Sequence, residues 1–230
     1  MSKPFSHRLF ISRALSPDSP VYAFAQAQDL EVFAQSLITF LPVMFDRLPS
    51  VEWVFFSSPR GVRFFFRQLR EKGQSLPRAV GIAVLGDGTA KALKEFGRSP
   101  DFSGNGQPDW VAEAFAELAA GKRVLFPRAS NSRKSIQKSL ESRIVPIDLV
   151  VYDNQPKGQI DIPDCRILLF TSPMNVQAWA RKHNFRATEQ LIVAIGQTTA
   201  HQLAHYGVEA RIAEQPSESG LVRTLKGMSG

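Results

Sequence analysis

The sequence predicts an α/β fold of two similar lobes, each a mainly parallel sheet flanked by helices, joined by a two-stranded β hinge. Three features of the 230 residues carry this reading. Short apolar runs alternate with amphipathic helical stretches, the pattern of a parallel sheet whose crossovers are helices. Two of the strand-to-helix passages recur more than a hundred residues apart. The recurrence is incomplete toward the C-terminus and is completed by the N-terminal segment, which makes one lobe discontinuous.

Val51–Phe56 has strand character, and a helix follows from Pro59 to about Lys72. Arg63-Phe-Phe-Phe-Arg67 in that helix suggests stacking on bases. However, Val62, Phe65, Phe66 and Leu69 fall at helical spacing, which makes a core-facing stripe. Ala79–Leu85 is the next strand and Thr89 to Phe96 the next helix. A Gly/Ser/Pro-rich loop, Arg98–Pro108, leads to a helix at Asp109–Ala120 and a strand at Arg123–Phe126. A helix near Ser132–Glu141 and a strand at Ile144–Tyr152 complete this lobe.

After Pro156 the pattern starts again. Phe55-Phe-Ser-Ser-Pro-Arg-Gly-Val62 matches Leu169-Phe-Thr-Ser-Pro-Met-Asn-Val176, and Val84–Leu93 matches Ala194–Leu203 without a gap. The offsets, 114 and 110 residues, exceed solenoid periods and indicate a duplicated domain. The missing partner of Arg123-Val-Leu-Phe-Pro-Arg-Ala129 is Arg8-Leu-Phe-Ile-Ser-Arg-Ala14, and Val32–Phe40 then corresponds to Ile144–Tyr152. The expected lobes are residues 1–36 with 156–230, and 43–149, with crossings at 36–43 and 149–156.

Composition narrows the class. Hydrophobic residues make up 43% and charged residues 21%, the balance of a soluble globular chain, and no apolar run is long enough to span a bilayer. Cys165 has no partner for an internal disulfide and reads as a buried structural thiol in a cytoplasmic protein. The net charge of +7 is uneven: residues 43–150 hold 17 Lys+Arg against 11 Asp+Glu, the rest 11 against 10. Such a basic lobe suits an anionic ligand. It fits nucleic acid or a merely solubilising surface as well, although no nucleic-acid motif is present.

Ligands of open α/β sheets bind beyond the carboxyl ends of the strands, where the repeated motifs fall. Ser58 and Ser172 are placed to cap helices that begin with Pro59 and Pro173. Such starts display N–H groups that suit carboxylate or phosphate, although they also serve simply as good helix starts. Gly86-Asp-Gly-Thr89 and Gly196-Gln-Thr-Thr199 repeat that geometry, and neither is a dinucleotide fingerprint or a Walker loop. Arg13 and Arg128 end equivalent strands. They can meet ligand carboxylates or the acidic residues of their own lobe. His201 and His205 stand four apart on a predicted helix but lack a third ligand or the glutamate of a zincin, so no metal site is expected. The residues alone describe a two-lobed anion binder without cofactor or metal.

The whole chain resembles the uroporphyrinogen-III synthase family. Phe170-Thr-Ser-Pro-Met-Asn-Val, Ala194-Ile-Gly-Gln-Thr-Thr-Ala and Glu214-Gln-Pro-Ser-Glu-Ser-Gly-Leu-Val carry the likeness, with Val150-Val-Tyr152 and Leu125-Phe-Pro-Arg128. The resemblance implies a cofactorless lyase that cyclises hydroxymethylbilane with loss of water and inversion of ring D. For that substrate the candidate binding residues are those of the repeated motifs and strand ends: Arg13, Ser57, Ser58, Gly86, Thr89 and Arg128. Thr171, Ser172, Asn175, Gly196, Thr198 and Thr199 complete the set. The resemblance also assigns Tyr152, at the second crossing, a phenol for the departing hydroxyl, although a hinge-packing aromatic would look the same. Asn154 stands where the family commonly has threonine, and Gln197 where it has proline; neither change removes a backbone donor. A cytoplasmic monomer, possible hand-off from hydroxymethylbilane synthase, and no nucleic-acid or membrane partner complete the expectation. The alternative is a non-catalytic, two-lobed anion-binding module.

Overall fold

The computed structural model describes residues 4–228. In chain order the strands are β1 (Arg8–Ile11), β2 (Glu31–Ala34), β3 (Ile38–Pro42), β4 (Trp53–Phe56), β5 (Gly81–Val84), β6 (Phe102–Ser103), β7 (Arg123–Ala129), β8 (Val145–Pro156), β9 (Ile167–Phe170), β10 (Leu191–Ala194) and β11 (Arg211–Ile212). The helices are α1 (Pro20–Ala27), α2 (Pro59–Glu71), α3 (Asp87–Lys94), α4 (Pro108–Ala119), α5 (Ser135–Leu140), α6 (Pro173–Ala180), α7 (Gln197–Ala204) and α8 (Glu218–Met228). The chain divides into two compact units. One holds the chain up to Thr39 and from Gln155 onward, the other Phe40–Asn154.

The sheet of the discontinuous unit has the order β11-β10-β9-β1-β2, and that of the continuous unit β3-β8-β7-β4-β5-β6. The described pairings of β1, β2, β9, β10 and β11 are parallel, as are those of β4 to β8. Both sheets follow one rule. A central strand (β9 or β4) is extended on one side by its next two strands, and on the other by the remaining two. The reversal falls between β9 and β1 in one unit and between β4 and β7 in the other, the switch points where such sheets open a crevice. β3 is the extra strand of the continuous unit's sheet. Val43 N donates to Val151 O and Lys157 N to Leu37 O, so β3 and β8 run antiparallel.

Strand alternation builds two apolar layers in the continuous unit. Val54, Phe56 and Ile82 join Val62, Phe65, Phe66 and Leu69 of α2 on one face. Phe55 and Ala83 join Val111 and Phe115 of α4 and Leu140 of α5 on the other. The aromatic run of α2 is thus core. In the discontinuous unit, Leu9, Ile11, Leu169 and Val193 pack against Val21 and Phe24 of α1 and Leu221 and Leu225 of α8. β9 is buried along its whole length, as a strand covered on both faces must be.

The differences from the sequence reading have local causes. α3 begins at Asp87 rather than Thr89, because Gly86 is the extended cap and Thr89 N already donates to Gly86 O. The expected loop at Arg98–Pro108 contains the two-residue β6, beside β5. The Val32–Phe40 stretch is broken into β2 and β3, which join different sheets. Cys165 is fully buried, its thiol donates to Pro163 O, and desolvation pushes it up to about 12. That is a structural thiol rather than a nucleophile.

Candidate functional site

The repeated helix starts lie just beyond β4, β5, β9 and β10. Ser58 Oγ accepts from Gly61 N at 3.1 Å and Ser172 Oγ from Asn175 N at 3.3 Å, so both serines are caps. At the second motif, residues 81–90 and 191–200 share one pattern of secondary structure and burial. Gly86 and Gly196 are extended caps without side-chain bonds. The N–H groups of Asp87, Gly88, Gln197 and Thr198 have no acceptor among the described residues. Thr89 and Thr199 are 4% and 1% exposed, so their side chains belong to the fold, whereas Thr198 is exposed.

The two starts are not equivalent. A Cβ on Gly86 would lie 3.1 Å from the Gly106 backbone, while one on Gly196 would meet nothing within 4 Å. α3 also carries Asp87 in its first turn, and α7 carries no acid there. An anion therefore finds the α7 start both more open and less repelled.

In the discontinuous unit the β9/β1 switch point is knitted by hydroxyls. Thr171 N donates to Ser12 Oγ at 2.8 Å, and Thr171 Oγ1 donates to Ser12 O at 3.1 Å. Arg13, next to Ser12, stands 3.4 Å from Glu218. Asn175 is 5% exposed; its Oδ1 accepts from Leu37 N and its Nδ2 donates to Ser172 Oγ. Its amide is thus committed to the fold. Ser12 and Glu218 were not anticipated, since their partners lie far along the chain.

In the continuous unit Ser57 and Arg128 come together at a cavity of about 150 Å³ beyond the carboxyl ends of β4, β5 and β7, which Arg133 and Lys134 also line. Arg128 Nε donates to Asp148 at 2.6 Å, and Nη1 donates to the carbonyls of Ala129 and Ser130. Lys134 Nζ and Gln137 Nε2 also donate to Asp148. These donors, Arg128 first, hold the Asp148 carboxyl well below the usual carboxylate range. Both strand-end arginines therefore contact acids of their own unit. Sequence reasoning missed Arg133 and Lys134; the signal was a basic pair in a Ser/Asn loop directly after a strand. A larger cavity of about 660 Å³ lies at the opposite, amino ends of β4 and β5, away from every repeated motif.

Tyr152 belongs to β8 and is 8% exposed. Its ring stacks on Phe64 at 5.0 Å and meets Phe40 edge-on at 6.2 Å. Arg60, near the start of α2, lies 3.8 Å over the Phe40 ring. The Tyr152 hydroxyl has no protein partner among the described residues.

Two mainly parallel sheets, with amide-bearing helix starts and basic side chains at their carboxyl ends, define a two-unit α/β protein suited to an anionic ligand. More specifically, the chain belongs to the uroporphyrinogen-III synthase family, since the family profile described as "Uroporphyrinogen-III synthase HemD" matches residues 23–223. It is 25% identical to a putative uroporphyrinogen-III synthase of Methanocaldococcus jannaschii, covering 91% of this chain and 96% of that one. It is 27% identical to the porphyrin biosynthesis protein HemD of Ruminiclostridium josui over 77% of this chain, which spans only 38% of that longer protein. The fold is similar to that of uroporphyrinogen-III synthetase from Helicobacter pylori, with a TM-score of 0.71 at 21% identity over 96% of this chain and 99% of that one. A mutant uroporphyrinogen III synthase from Thermus thermophilus gives 0.58 at 17% identity, over 97% and 99%. Among the described residues, no helix is long and apolar enough to cross a membrane.

Proposed function

We propose that this chain converts hydroxymethylbilane to uroporphyrinogen III. The observation that carries the proposal is the family match over residues 23–223. The reaction removes the terminal hydroxyl as water and leaves an electrophilic azafulvene. Ring D attacks through its substituted carbon, and the resulting spiro intermediate reopens and closes with that ring inverted. Uncatalysed closure gives the symmetrical type I isomer, so the catalyst's main task is to hold the chain ends in the other geometry. Anchoring donors suit that task better than a dense catalytic cluster. The α2, α3, α6 and α7 starts would bind the acetate and propionate carboxylates, with the open α7 start foremost, and Arg13 and Arg128 would assist.

Tyr152 would deliver a proton to the departing hydroxyl. Its ring is immobilised by Phe64 and Phe40 while its hydroxyl is uncommitted, which supports the assignment. In this reading the enzyme is a hydro-lyase that works as a cytoplasmic monomer. It would take its unstable substrate from hydroxymethylbilane synthase. The test is to feed freshly generated hydroxymethylbilane to the purified protein and separate the oxidised products. Type III product is expected; type I alone would overturn the assignment and leave a non-catalytic anion binder.

A further inference from the structure

The two copies diverge most usefully in the loop after the strand-end arginine. At an offset of 115 residues, Arg8 of β1 matches Arg123 of β7, Arg13 matches Arg128, and Pro20, the first residue of α1, matches Ser135, the first of α5. The same offset sets Asp18 against Arg133 and Ser19 against Lys134. In the discontinuous unit, Ser19 is an ordinary cap: its Oγ accepts from Val21 N and donates to Glu218. In the continuous unit, Lys134 provides no side-chain cap and takes a left-handed backbone, φ 57°. A lysine here forgoes a helix cap and adopts a conformation that side chains bearing a Cβ disfavour. Such local departures concentrate where function requires them.

What that loop yields is positive charge facing a cavity. Ser57, Leu85, Phe126, Arg128, Arg133 and Lys134 line a space of about 150 Å³. Among the described residues Asp148 is the one acid that Arg128 and Lys134 contact, so these two cations share a single carboxylate. Arg128 keeps Nη2 without a partner among the described residues, and Arg133 makes no ion pair there. Guanidinium groups suit carboxylates because their planar N–H forks match the two oxygens. The apolar walls, Leu85 and Phe126, suit the short carbon arm behind such a group.

We propose that Arg133 and Lys134, together with Arg128, form a subsite of the continuous unit that takes one acetate or propionate carboxylate of the linear tetrapyrrole. The assignment rests on the reaction proposed above. It stands on side chains rather than on a helix start, and the matching loop of the discontinuous unit, with Asp18 and Ser19, has no counterpart to it.

Three full-length variants test it: Arg133→Gln, Arg133→Gln with Lys134→Gln, and Arg78→Gln. The last removes an equal charge from an exposed position before the amino end of β5. With fresh hydroxymethylbilane, Arg133→Gln should raise KM about fivefold to tenfold and leave kcat within about twofold, the mark of an interaction made equally in ground and transition states. The double variant should raise KM further, and Arg78→Gln should change neither constant by more than about twofold. Binding of uroporphyrin III, followed by its fluorescence, judges the subsite separately from turnover. Arg133→Gln should weaken it about fivefold and Arg78→Gln should not. If Arg133→Gln matches Arg78→Gln in affinity for uroporphyrin III, the subsite is overturned. If only the wild type's product isomer is wrong, the reaction falls and the carboxylate subsite stands on its binding result. Should the double variant fold poorly, Arg133→Gln alone decides.

Discussion

Phe64 and Phe40 fix the Tyr152 ring from its face and its edge, so the residue can pack and still present an uncommitted phenol. Replacing it with phenylalanine separates the two roles, because both packing partners keep their contacts. If the phenol gives the proton, Tyr152→Phe should lower kcat at least tenfold on the scale of general acid catalysis, with KM and melting temperature close to wild type. Unchanged turnover would reduce Tyr152 to a packing aromatic. The strand-end arginines show what a sequence can and cannot disclose at this scale. Their position follows from strand length and the repeat. Their partners do not: Asp148 is 20 residues from Arg128 on the neighbouring strand, and Glu218 meets Arg13 from the other end of the chain. Only the folded unit brings those groups within reach.

Elements were more legible than contacts, because hydrophobic period and helix-start chemistry are local. The α2 stripe and the two Ser-Pro starts are examples. β6 is not, since two residues beside β5 have no period to read. The left-handed backbone of Lys134 was invisible for a similar reason, since that conformation in a lysine has no sequence signature. At the element scale, Asp148 fastens the end of β7 and the entry to α5 onto β8. Its carboxyl is held below the ordinary range in the folded chain, so it stabilises the fold above its unfolded value of about 4. That contribution falls away as the pH drops through its lower folded value. The Asp148 side chain is 33% exposed, so water screens much of the attraction. Asp148→Asn should therefore cost about 1 kcal/mol at neutral pH and nothing at low pH. Denaturant titrations at several pH values should show the two proteins converging below about pH 4. A constant difference would mean that Asp148 acts through shape rather than charge.

On the scale of the whole molecule, the duplicated plan explains why the chain crosses between units twice, through β3 and β8. Each end of β3 is gripped by a buried amide from a helix of the adjoining unit. Asn175 Oδ1 accepts from Leu37 N at 2.7 Å before the strand. After it, Gln68 of α2 donates through Nε2 to Val43 O and Val151 O, each at 3.0 Å, and accepts from Phe45 N at 3.4 Å. Gln68 is 1% exposed and interrupts an otherwise apolar helix face. If that side chain only filled space, Gln68→Leu would be neutral or stabilising, because leucine is apolar and of similar size. If it ties α2 to both crossing segments, the same change strands the Val43 carbonyl and the Phe45 N–H and takes one of two donors from Val151 O. It should then cost about 2–4 kcal/mol in chemical denaturation. Hydrogen exchange locates the damage. Val43 N–H, bonded to Val151 O, should lose protection more than amides in the centre of β4. Equal stability together with unchanged protection at Val43 would show that β3 and β8 hold each other without the glutamine.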